Sequence, residues 1–329
     1  MGAHVRRRDF LALIGGGVIA RPASTRAQNS AIPTVGYLSS KDERAEAGII
    51  AGIRKGLAWQ ELFEGQNVAF AYRFSAGDYS RLPEFATDLI SSKVAVIATS
   101  GLPATLAAKA ATSTIPVVFR LAIDPTGFGL AQSFDRPGGN LTGVTMLFDP
   151  LTPKKLQLLH ELVPDAAIGL VVNPNNPNVT SHRDHAERAA KSLGLRLAVL
   201  TAGTPDEIDA AFAVARQKGI GAVLVGDDPM FDVESRRLVA AAASHGLPTM
   251  YYVSDFVSAG GLISYGPNFA EMATQVGTYI GRILKGAKPA ELPIQQPTKF
   301  ELVANINAAK ALGLTLPPTL LANADQVIE

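Results

Sequence analysis

Cysteine is absent from the chain's 329 residues, which excludes disulfides, thiolate metal sites, thiol nucleophiles and lipid attachment through an amino-terminal cysteine. Charged residues make up only 18% of the chain, the formal net charge is +1, and no basic block follows residue 8. Because nucleic-acid binding normally leaves a clustered basic surface, we exclude nucleic acid as a partner. Hydrophobic residues reach 47%, which is enough for large buried cores and too many for a disordered chain.

A hydrophobic run long enough to cross a bilayer, about 20 residues, is also missing. The run Phe10–Ala20 is shorter, follows three arginines at positions 6–8, and precedes a small residue, Ala27. This pattern predicts an export signal peptide over residues 1–27, cleaved after Ala27, so that the mature protein lies in the periplasm with a net charge of −3. The arginine pair favours the twin-arginine route, with the general secretion route as the alternative.

From residue 33 onward, short apolar runs alternate with amphipathic stretches. The runs that predict strands are 33–38, 68–74, 94–98, 116–119 and 144–148 in a first series, and 168–172, 195–200, 221–225 and 248–253 in a second. All-apolar strands separated by helices are typical of parallel sheets that are buried on both faces. The sequence therefore predicts an α/β protein with two doubly wound parallel-sheet lobes.

Ligands of open parallel sheets lie beyond the carboxyl ends of the strands, where helix N-termini point into the crevice. Ser39 and Ser40 follow the first predicted strand, and Ser100 and Gly101 follow the third. Their hydroxyl and N–H groups suit a ligand carboxylate, and the same residue types also serve as ordinary helix N-caps. Asn175 lies in an equivalent loop of the second series. We predict ligand contacts for all five, with N-capping as the alternative for the serines and the glycine.

Charged and aromatic residues near strand ends complete the predicted site. Arg120 lies near the end of a buried strand, where it either clamps a ligand carboxylate or forms an ion pair with Asp124. Asp124 and Asp228 each precede a proline, so that each either accepts a ligand ammonium or initiates a turn. Three more residues predict an apolar wall for an aromatic or branched ligand, with burial in the core as the alternative: Met230, Tyr252 and Tyr265.

Catalytic signatures are missing from the sequence, which has neither a Gly-x-Ser-x-Gly elbow nor a phosphate-binding glycine loop. His182 and His185 have a spacing that suits two metal ligands, but we favour a solvated helix end. We therefore predict no catalytic residue, no metal and no cofactor, and expect a protein that is not an enzyme.

Several stretches along the chain carry a resemblance to one known family. They are EGQNV at 64–68, RLPE at 81–84, RPGGNLTGV at 136–144, NPNNP at 173–177, SYGP at 264–267, ILKGAKPAELP at 283–293, PTKFEL at 297–302 and AKALGLTLPP at 309–318. Over essentially the whole mature chain, the sequence resembles the ABC-transporter substrate-binding family described as tryptophan/tyrosine-type. This resemblance implies the type I periplasmic-binding-protein fold, with a hinge of three crossovers near 148–152, 263–266 and 297–301. The first lobe is then 32–148 plus about 266–297, and the second is 152–263 plus about 300–329.

The resemblance also implies a function, namely a monomeric periplasmic component of an ABC importer whose partners are a permease and its ATPase. With the predicted site, it indicates a small carboxylate-bearing solute held between the lobes, either an amino acid or an aromatic or branched organic acid. Two other classes stay open, an exported α/β enzyme of unknown reaction and the ligand-sensing domain of a signalling system.

Overall fold

The structure, a computed structural model, describes residues 32–297 and 299–329 in addition to Met1. The predicted signal peptide and its cleavage after Ala27 lie outside the described residues. Within the described part of the chain, no helix combines the length and the apolar character that crossing a membrane requires.

The first lobe begins with strands and helices that alternate along the chain. They are β1 (Thr34–Ser39), α1 (Glu43–Ala58), β2 (Ala69–Phe74), α2 (Leu82–Ser91), β3 (Val96–Ser100), α3 (Leu102–Ala111), β4 (Val117–Leu121) and β5 (Leu141–Thr145). The strands form one sheet in the order β2-β1-β3-β4-β5, and all neighbouring strands are parallel. Tyr37 and Leu38, adjacent on β1, belong to different hydrophobic clusters, as expected of a sheet that is buried on both faces.

The second lobe follows a 3₁₀ turn at Asp149–Leu151 and repeats this alternation. Its first elements are α4 (Thr152–Leu162), β6 (Ala167–Val172), α5 (Val179–Ser192), β7 (Leu197–Thr201), α6 (Pro205–Gln217), β8 (Ile220–Val225), α7 (Pro229–Val233), α8 (Ser235–Ser244), β9 (Thr249–Tyr251), α9 (Ser254–Ser258) and β10 (Ile263–Pro267).

After β10 the chain returns to the first lobe. There α10 (Phe269–Leu284) packs against α1 and against strands β3 to β5, and Gln295 pairs with Val144. The chain then enters the second lobe again through β11 (Phe300–Asn305), α11 (Ile306–Ala311), α12 (Pro318–Ala322) and β12 (Gln326–Ile328). The second sheet has the order β12-β11-β10-β9-β8-β6-β7 and is parallel except for the β10–β11 pair. The predicted fold class of two parallel-sheet lobes joined by three crossovers is confirmed.

The return of α10 to the first lobe depends on glycines. A Cβ atom at Gly56 of α1 would lie 2.0 Å from the carbonyl oxygen of Thr274, and one at Gly277 of α10 would lie 2.1 Å from that of Ile53. Because no side chain fits between the two backbones, only glycine permits this close approach. The pair of helices thereby fixes where Phe269, the first residue of α10, enters the cleft.

One predicted strand was misplaced along the chain. The apolar run 144–148 predicted a strand, but β5 occupies Leu141–Thr145. Its register against β4 is set by continuous pairing from Val117 onward, and Gly143 lies so close to Phe119 that a Cβ would be 2.1 Å from its carbonyl oxygen. The glycine that this approach requires made the segment look like a loop in the sequence.

Candidate ligand-binding site

A cavity lies where the carboxyl ends of the strands of the two lobes face each other, as expected for an open parallel sheet. It encloses about 430 Å³, including the part that is open to solvent. The first lobe supplies its cations and the second lobe its carboxylates, with aromatic rings from both. The side chains that give the cavity this character are Lys41, Arg120, Phe148, Asp227, Asp228, Asp232, Tyr252 and Phe269.

The structure shows the cleft between the lobes closed. The Tyr79 hydroxyl of the first lobe donates to Asp228 of the second and lies 2.9 Å from both carboxylate oxygens. Lys41 Nζ lies 2.7 Å from Asp232 Oδ2, so that an ion pair also spans the cleft. At Gly101, with a φ of +91°, a Cβ would lie 3.0 Å from Pro229 Cγ. The glycine therefore allows both the left-handed backbone at the start of α3 and the close approach of the opposite lobe.

A completely buried carboxylate, Glu46 on α1, organises the first lobe's face of the cavity. It accepts hydrogen bonds from the hydroxyls of Tyr37, Ser39 (3.0 Å) and Ser100 (2.7 Å). Burial alone would raise the pKa of Glu46, but the nearby cations of Lys41 and Arg120 and the hydrogen bonds from Tyr37 and Ser100 hold its pKa below the ordinary value. Glu46 is thus ionised, and its charge offsets one of the two cations on this face.

Arg120, the second cation of this face, has donor capacity to spare. Its side chain is 5% exposed, donates to Ser100 Oγ at 2.8 Å and lies 3.9 Å from Glu46 Oε1. Its guanidinium carbon lies 4.8 Å from the centre of the Phe269 ring. Among the described residues, no atom accepts a hydrogen bond from its Nε. Of the two alternatives for Arg120, the ion pair with Asp124 is wrong, because the acidic partner of Arg120 is Glu46, while Asp124 Oδ1 accepts hydrogen bonds from Thr126.

Asp228 dominates the hydrogen bonds of the opposite face. Besides the Tyr79 hydroxyl, the Asp228 carboxylate accepts from Asn173 Nδ2 (3.0 Å), Asn176 Nδ2 (2.6 Å) and the backbone N–H of Met230 (2.8 Å). Burial raises the pKa of Asp228 to about 6, because these hydrogen bonds oppose the cost of burying the charge without cancelling it. The last of the four bonds is the N-cap of α7, so Asp228 begins that helix as well.

Asp227, the neighbour of Asp228, belongs to a second charged group at the base of the cleft. His182 Nδ1 lies 3.1 Å from Asp227 Oδ1 and 3.6 Å from Asp149 Oδ1, in the turn that links the lobes. Burial raises the pKa of Asp227 and lowers the pKa of the nearby Lys155 to about 8. His182 is itself buried, so the expectation of a solvated helix end at this position was wrong. Within the described part of the chain, no group of three or more metal-ligating side chains has a geometry that holds a metal.

The eleven residues predicted to contact ligand lie in three kinds of place. Four line the cavity: Gly101, Arg120, Asp228 and Tyr252. Three serines lie directly behind it, where Ser39 and Ser100 donate to Glu46 and Ser40 Oγ accepts from the backbone N–H of Ala104 in α3. Ser40 thus satisfies an N–H group in the first turn of α3, but the N-cap position of that helix is held by Gly101 and that of α1 by Asp42. The other two hydroxyls are directed at a buried carboxylate.

The remaining four predicted residues lie outside the lining of this cavity. Asp124 bonds to Thr126 in its own turn, and Asn175 donates to the carbonyl oxygen of Gly203. Met230 is buried against Gly77 of the first lobe. Tyr265 lies on β10 beside Phe300, on the second lobe. The alternative of a turn fits the contacts of Asp124, and the alternative of burial fits Met230. For all four residues, direct contact with ligand stays a prediction.

Sequence reasoning missed several residues that give the cavity its charge. Lys41 follows Ser40 directly and Asp227 precedes Asp228, so each lies next to a residue that the strand ends had predicted. Glu46 and Phe269 had no such signal. Each lies in the first turn of a helix, where an acidic or aromatic residue is unremarkable, and only packing of α1 and α10 against the sheet brings them to the cleft.

Comparison with known proteins identifies the family. The family model described as "ABC transporter substrate binding protein" matches residues 40–328, which is nearly the whole described chain. The chain belongs to this family. It is therefore a protein that binds a small-molecule substrate of an ABC-type system, and not an enzyme.

Relatives of known structure or name fit this assignment. A tyrosine-binding protein of Clostridioides difficile is 26% identical over 275 residues, which cover 83% of this chain and 77% of that protein. An ABC domain from Streptococcus pneumoniae, solved in complex with L-Trp, is 26% identical with a TM-score of 0.83 and covers 90% of this chain and 99% of that one. A conserved domain protein from Vibrio cholerae has the same identity and coverage, with a TM-score of 0.84.

Proposed function

We propose that this substrate-binding protein is the periplasmic receptor of an ABC importer, and that its ligand is a zwitterionic amino acid with an aromatic or branched side chain. The observation that carries this proposal is the separation of charge across the cavity. Lys41, Arg120 and Glu46 give the first lobe's face a net charge of +1, whereas the second lobe's face presents three carboxylates.

A zwitterion fits between such faces in one orientation. Its carboxylate lies toward Arg120, whose Nε has no acceptor among the described residues, and its ammonium lies toward the carboxylates of the second lobe. The rings of Phe148, Tyr252 and Phe269 form an apolar wall for the side chain. Relatives named for tyrosine or solved with L-Trp support an aromatic side chain in particular.

The test is calorimetric titration of the mature protein with L-tyrosine, L-tryptophan, L-phenylalanine, L-leucine and an aromatic carboxylate. We expect at least one aromatic amino acid to bind without turnover. Arg120→Ala should weaken every carboxylate ligand by roughly 2–5 kcal/mol, because a desolvated charge pair loses one partner. The matched control is Arg54→Ala, since Arg54 is half-exposed and paired with Glu64 away from the cavity. Arg120→Ala binding as tightly as wild type would contradict the proposed carboxylate site.

The role in import has its own test, because binding alone does not distinguish a transport receptor from a sensor. In the native host, mature protein should appear in the periplasm with its first residue at Gln28. Deletion of the gene should abolish uptake of the amino acid that titration identifies. Normal uptake in the deletion strain would favour the sensing class instead.

A further inference from the structure

Lys41 of the first lobe lies between groups that belong to both faces of the cavity. Its side chain is only 4% exposed, and Glu46 Oε1 on its own lobe lies 3.7 Å from its Nζ. The Nζ lies over the ring of Phe269, 5.4 Å from the ring centre, and 2.7 Å from Asp232 Oδ2 on the opposite lobe. In the closed cleft Lys41 therefore contacts an aromatic ring of one face and a carboxylate of the other.

Asp232 connects this lysine to the aromatic wall of the second lobe. The Tyr252 hydroxyl donates to Asp232 Oδ1 at 2.6 Å, while Asp232 Oδ2 faces Lys41. The other acceptor near this hydroxyl, the backbone carbonyl oxygen of Asp228, is farther away at 3.2 Å. Because each oxygen of the Asp232 carboxylate has its own partner, the orientation of the carboxylate is fixed, and it fixes the Tyr252 hydroxyl in turn.

The Asp232 carboxylate depends on the lysine to keep this orientation. Within the part of the chain that the structure describes, Lys41 is its only ion-pair partner. Asp255 lies nearby on the same lobe, and burial together with the negative charge of Asp232 raises the pKa of Asp255. Because the two carboxylates repel each other, loss of Lys41 would leave Asp232 unpaired, and its side chain would turn toward water. The Tyr252 hydroxyl would then lose its nearer acceptor.

We infer that Lys41 and Asp232 are positioning residues that make the cavity selective for flat aromatic side chains, because they hold the Tyr252 ring in place relative to the Phe269 ring when the cleft closes. The inference rests on the proposed function, since it concerns the side chain of the bound amino acid. Both rings line the cavity. A flat ring makes full contact with rings that are fixed in position, whereas a puckered ring of the same carbon skeleton requires them to move apart. Aromatic pairing adds about two- to tenfold in affinity beyond the area that is buried.

The experiment compares L-phenylalanine with L-cyclohexylalanine, which has the same carbon skeleton, ammonium and carboxylate but a puckered ring. Calorimetric titration of the mature wild-type protein should show about two- to tenfold tighter binding of L-phenylalanine. Lys41→Met keeps the length of the side chain and removes its charge, and it should bring the ratio of the two affinities close to one. Asp232→Ala and the double variant should give the same ratio, because the two residues act through the same ring. This ratio is independent of how much of a variant folds.

Tyr79→Phe is the matched control, because it also removes a buried contact across the cleft but leaves Lys41, Asp232 and Tyr252 unchanged. It should weaken both probes by a similar factor and so preserve their ratio. A ratio that Lys41→Met or Asp232→Ala preserves would overturn the inference, since a lysine that only contacts ligand or stabilises the fold affects both probes equally. A ratio that Tyr79→Phe also abolishes would overturn it as well.

The wild-type protein separates this inference from the proposed function. Equal binding of L-phenylalanine and L-cyclohexylalanine by wild type would overturn the selectivity and leave the amino-acid receptor intact. Failure of wild type to bind L-phenylalanine, L-tyrosine or L-tryptophan would overturn the proposed function as well.

Discussion

The charged groups on the two faces of the cleft find their partners in different places. On the first lobe, Lys41 and Arg120 lie against Glu46, a buried carboxylate on their own lobe, so one of the two positive charges is offset whether the cleft is open or closed. On the second lobe, Asp228 and Asp232 take partners from the first lobe, Tyr79 and Lys41. One face is therefore preorganised, and the other reaches its full set of contacts only on closure.

This difference separates the contributions to the free energy of folding from the contributions to the free energy of cleft closure. Interactions within the first lobe contribute to folding, and interactions across the cleft contribute to the equilibrium between open and closed states and hence to ligand affinity. Removing a contact within the first lobe should mainly change unfolding, whereas removing a contact across the cleft should mainly change binding. Three predictions follow from this contrast, in order of decreasing effect.

The largest effect is expected at Glu46. Replacing it by alanine leaves Arg120 and three hydroxyl groups without their buried acceptor, so Glu46→Ala should lower the free energy of unfolding by roughly 3–5 kcal/mol. Chemical denaturation of the ligand-free protein measures this directly. Glu43→Ala, at an exposed position on the same helix, should cost less than about 1 kcal/mol through the helix dipole. A loss below about 1 kcal/mol for Glu46→Ala would show that the face is not preorganised by this residue.

A pH-dependent effect is expected at Asp228. Burial raises the pKa of Asp228 from an ordinary value near 3.8 to about 6, so the folded protein holds this proton more tightly than the unfolded chain does. Between pH 4 and pH 6 the unfolded chain binds fewer protons at this group, and its contribution to stability therefore falls as pH rises, by about 3 kcal/mol in total.

The variant Asp228→Asn lacks that titration. The free energy of unfolding of the variant minus that of wild type should increase from pH 4 to pH 6 and stay constant above pH 6. Urea denaturation at half-unit pH intervals measures the difference, in which the other titrating groups cancel. A difference that does not change with pH would mean that the folded-state pKa of Asp228 is ordinary.

The smallest of the three effects is expected at Tyr79. Its hydroxyl bonds to Asp228 across the closed cleft, and a hydrogen bond to a charged group contributes about 1.5–3 kcal/mol. Tyr79→Phe should therefore lower the affinity for every ligand by about tenfold or more with little change in the unfolding of ligand-free protein. Small-angle scattering should show a smaller fraction of closed protein at the same ligand concentration.

Arg44→Ala provides the control at the rim of the cleft. Arg44 is exposed and donates to the carbonyl oxygen of Val233 across the lobes at 2.9 Å. Because water replaces such a bond readily, its loss should cost less than about 1 kcal/mol of affinity. If Arg44→Ala and Tyr79→Phe lowered the affinity equally, burial of the hydrogen bond between Tyr79 and Asp228 would not matter for closure.

The sequence was informative where burial follows directly from composition. All-apolar runs such as the one before Ser39 predicted strands buried on both faces, and most lie within a few residues of the observed elements. The strand containing Gly143 was misplaced because a glycine selected by contact with β4 looks, in sequence, like a loop residue. The strand ends also pointed correctly to the cavity, where Gly101, Arg120, Asp228 and Tyr252 lie.

The sequence could not predict which side chains of the site pair with each other. Whether Arg120 pairs with Asp124 or with Glu46 depends on which side of β4 faces α1, and residues four apart in sequence had no advantage over residues 74 apart. The same holds for Ser39 and Ser100, whose hydroxyls are directed at Glu46 rather than into the cavity. A hydroxyl at the end of a strand is predictable, but the acceptor that orients it is not.

The sequence by itself thus determined the α/β architecture, the two lobes and the edge at which a ligand binds, because strand burial and the position of strand ends depend on local apolar patterns. Only the tertiary structure decided which charges neutralise each other. Those outcomes depend on distances of a few ångströms between helices far apart in the chain, and electrostatic interactions in a buried site change steeply over such distances.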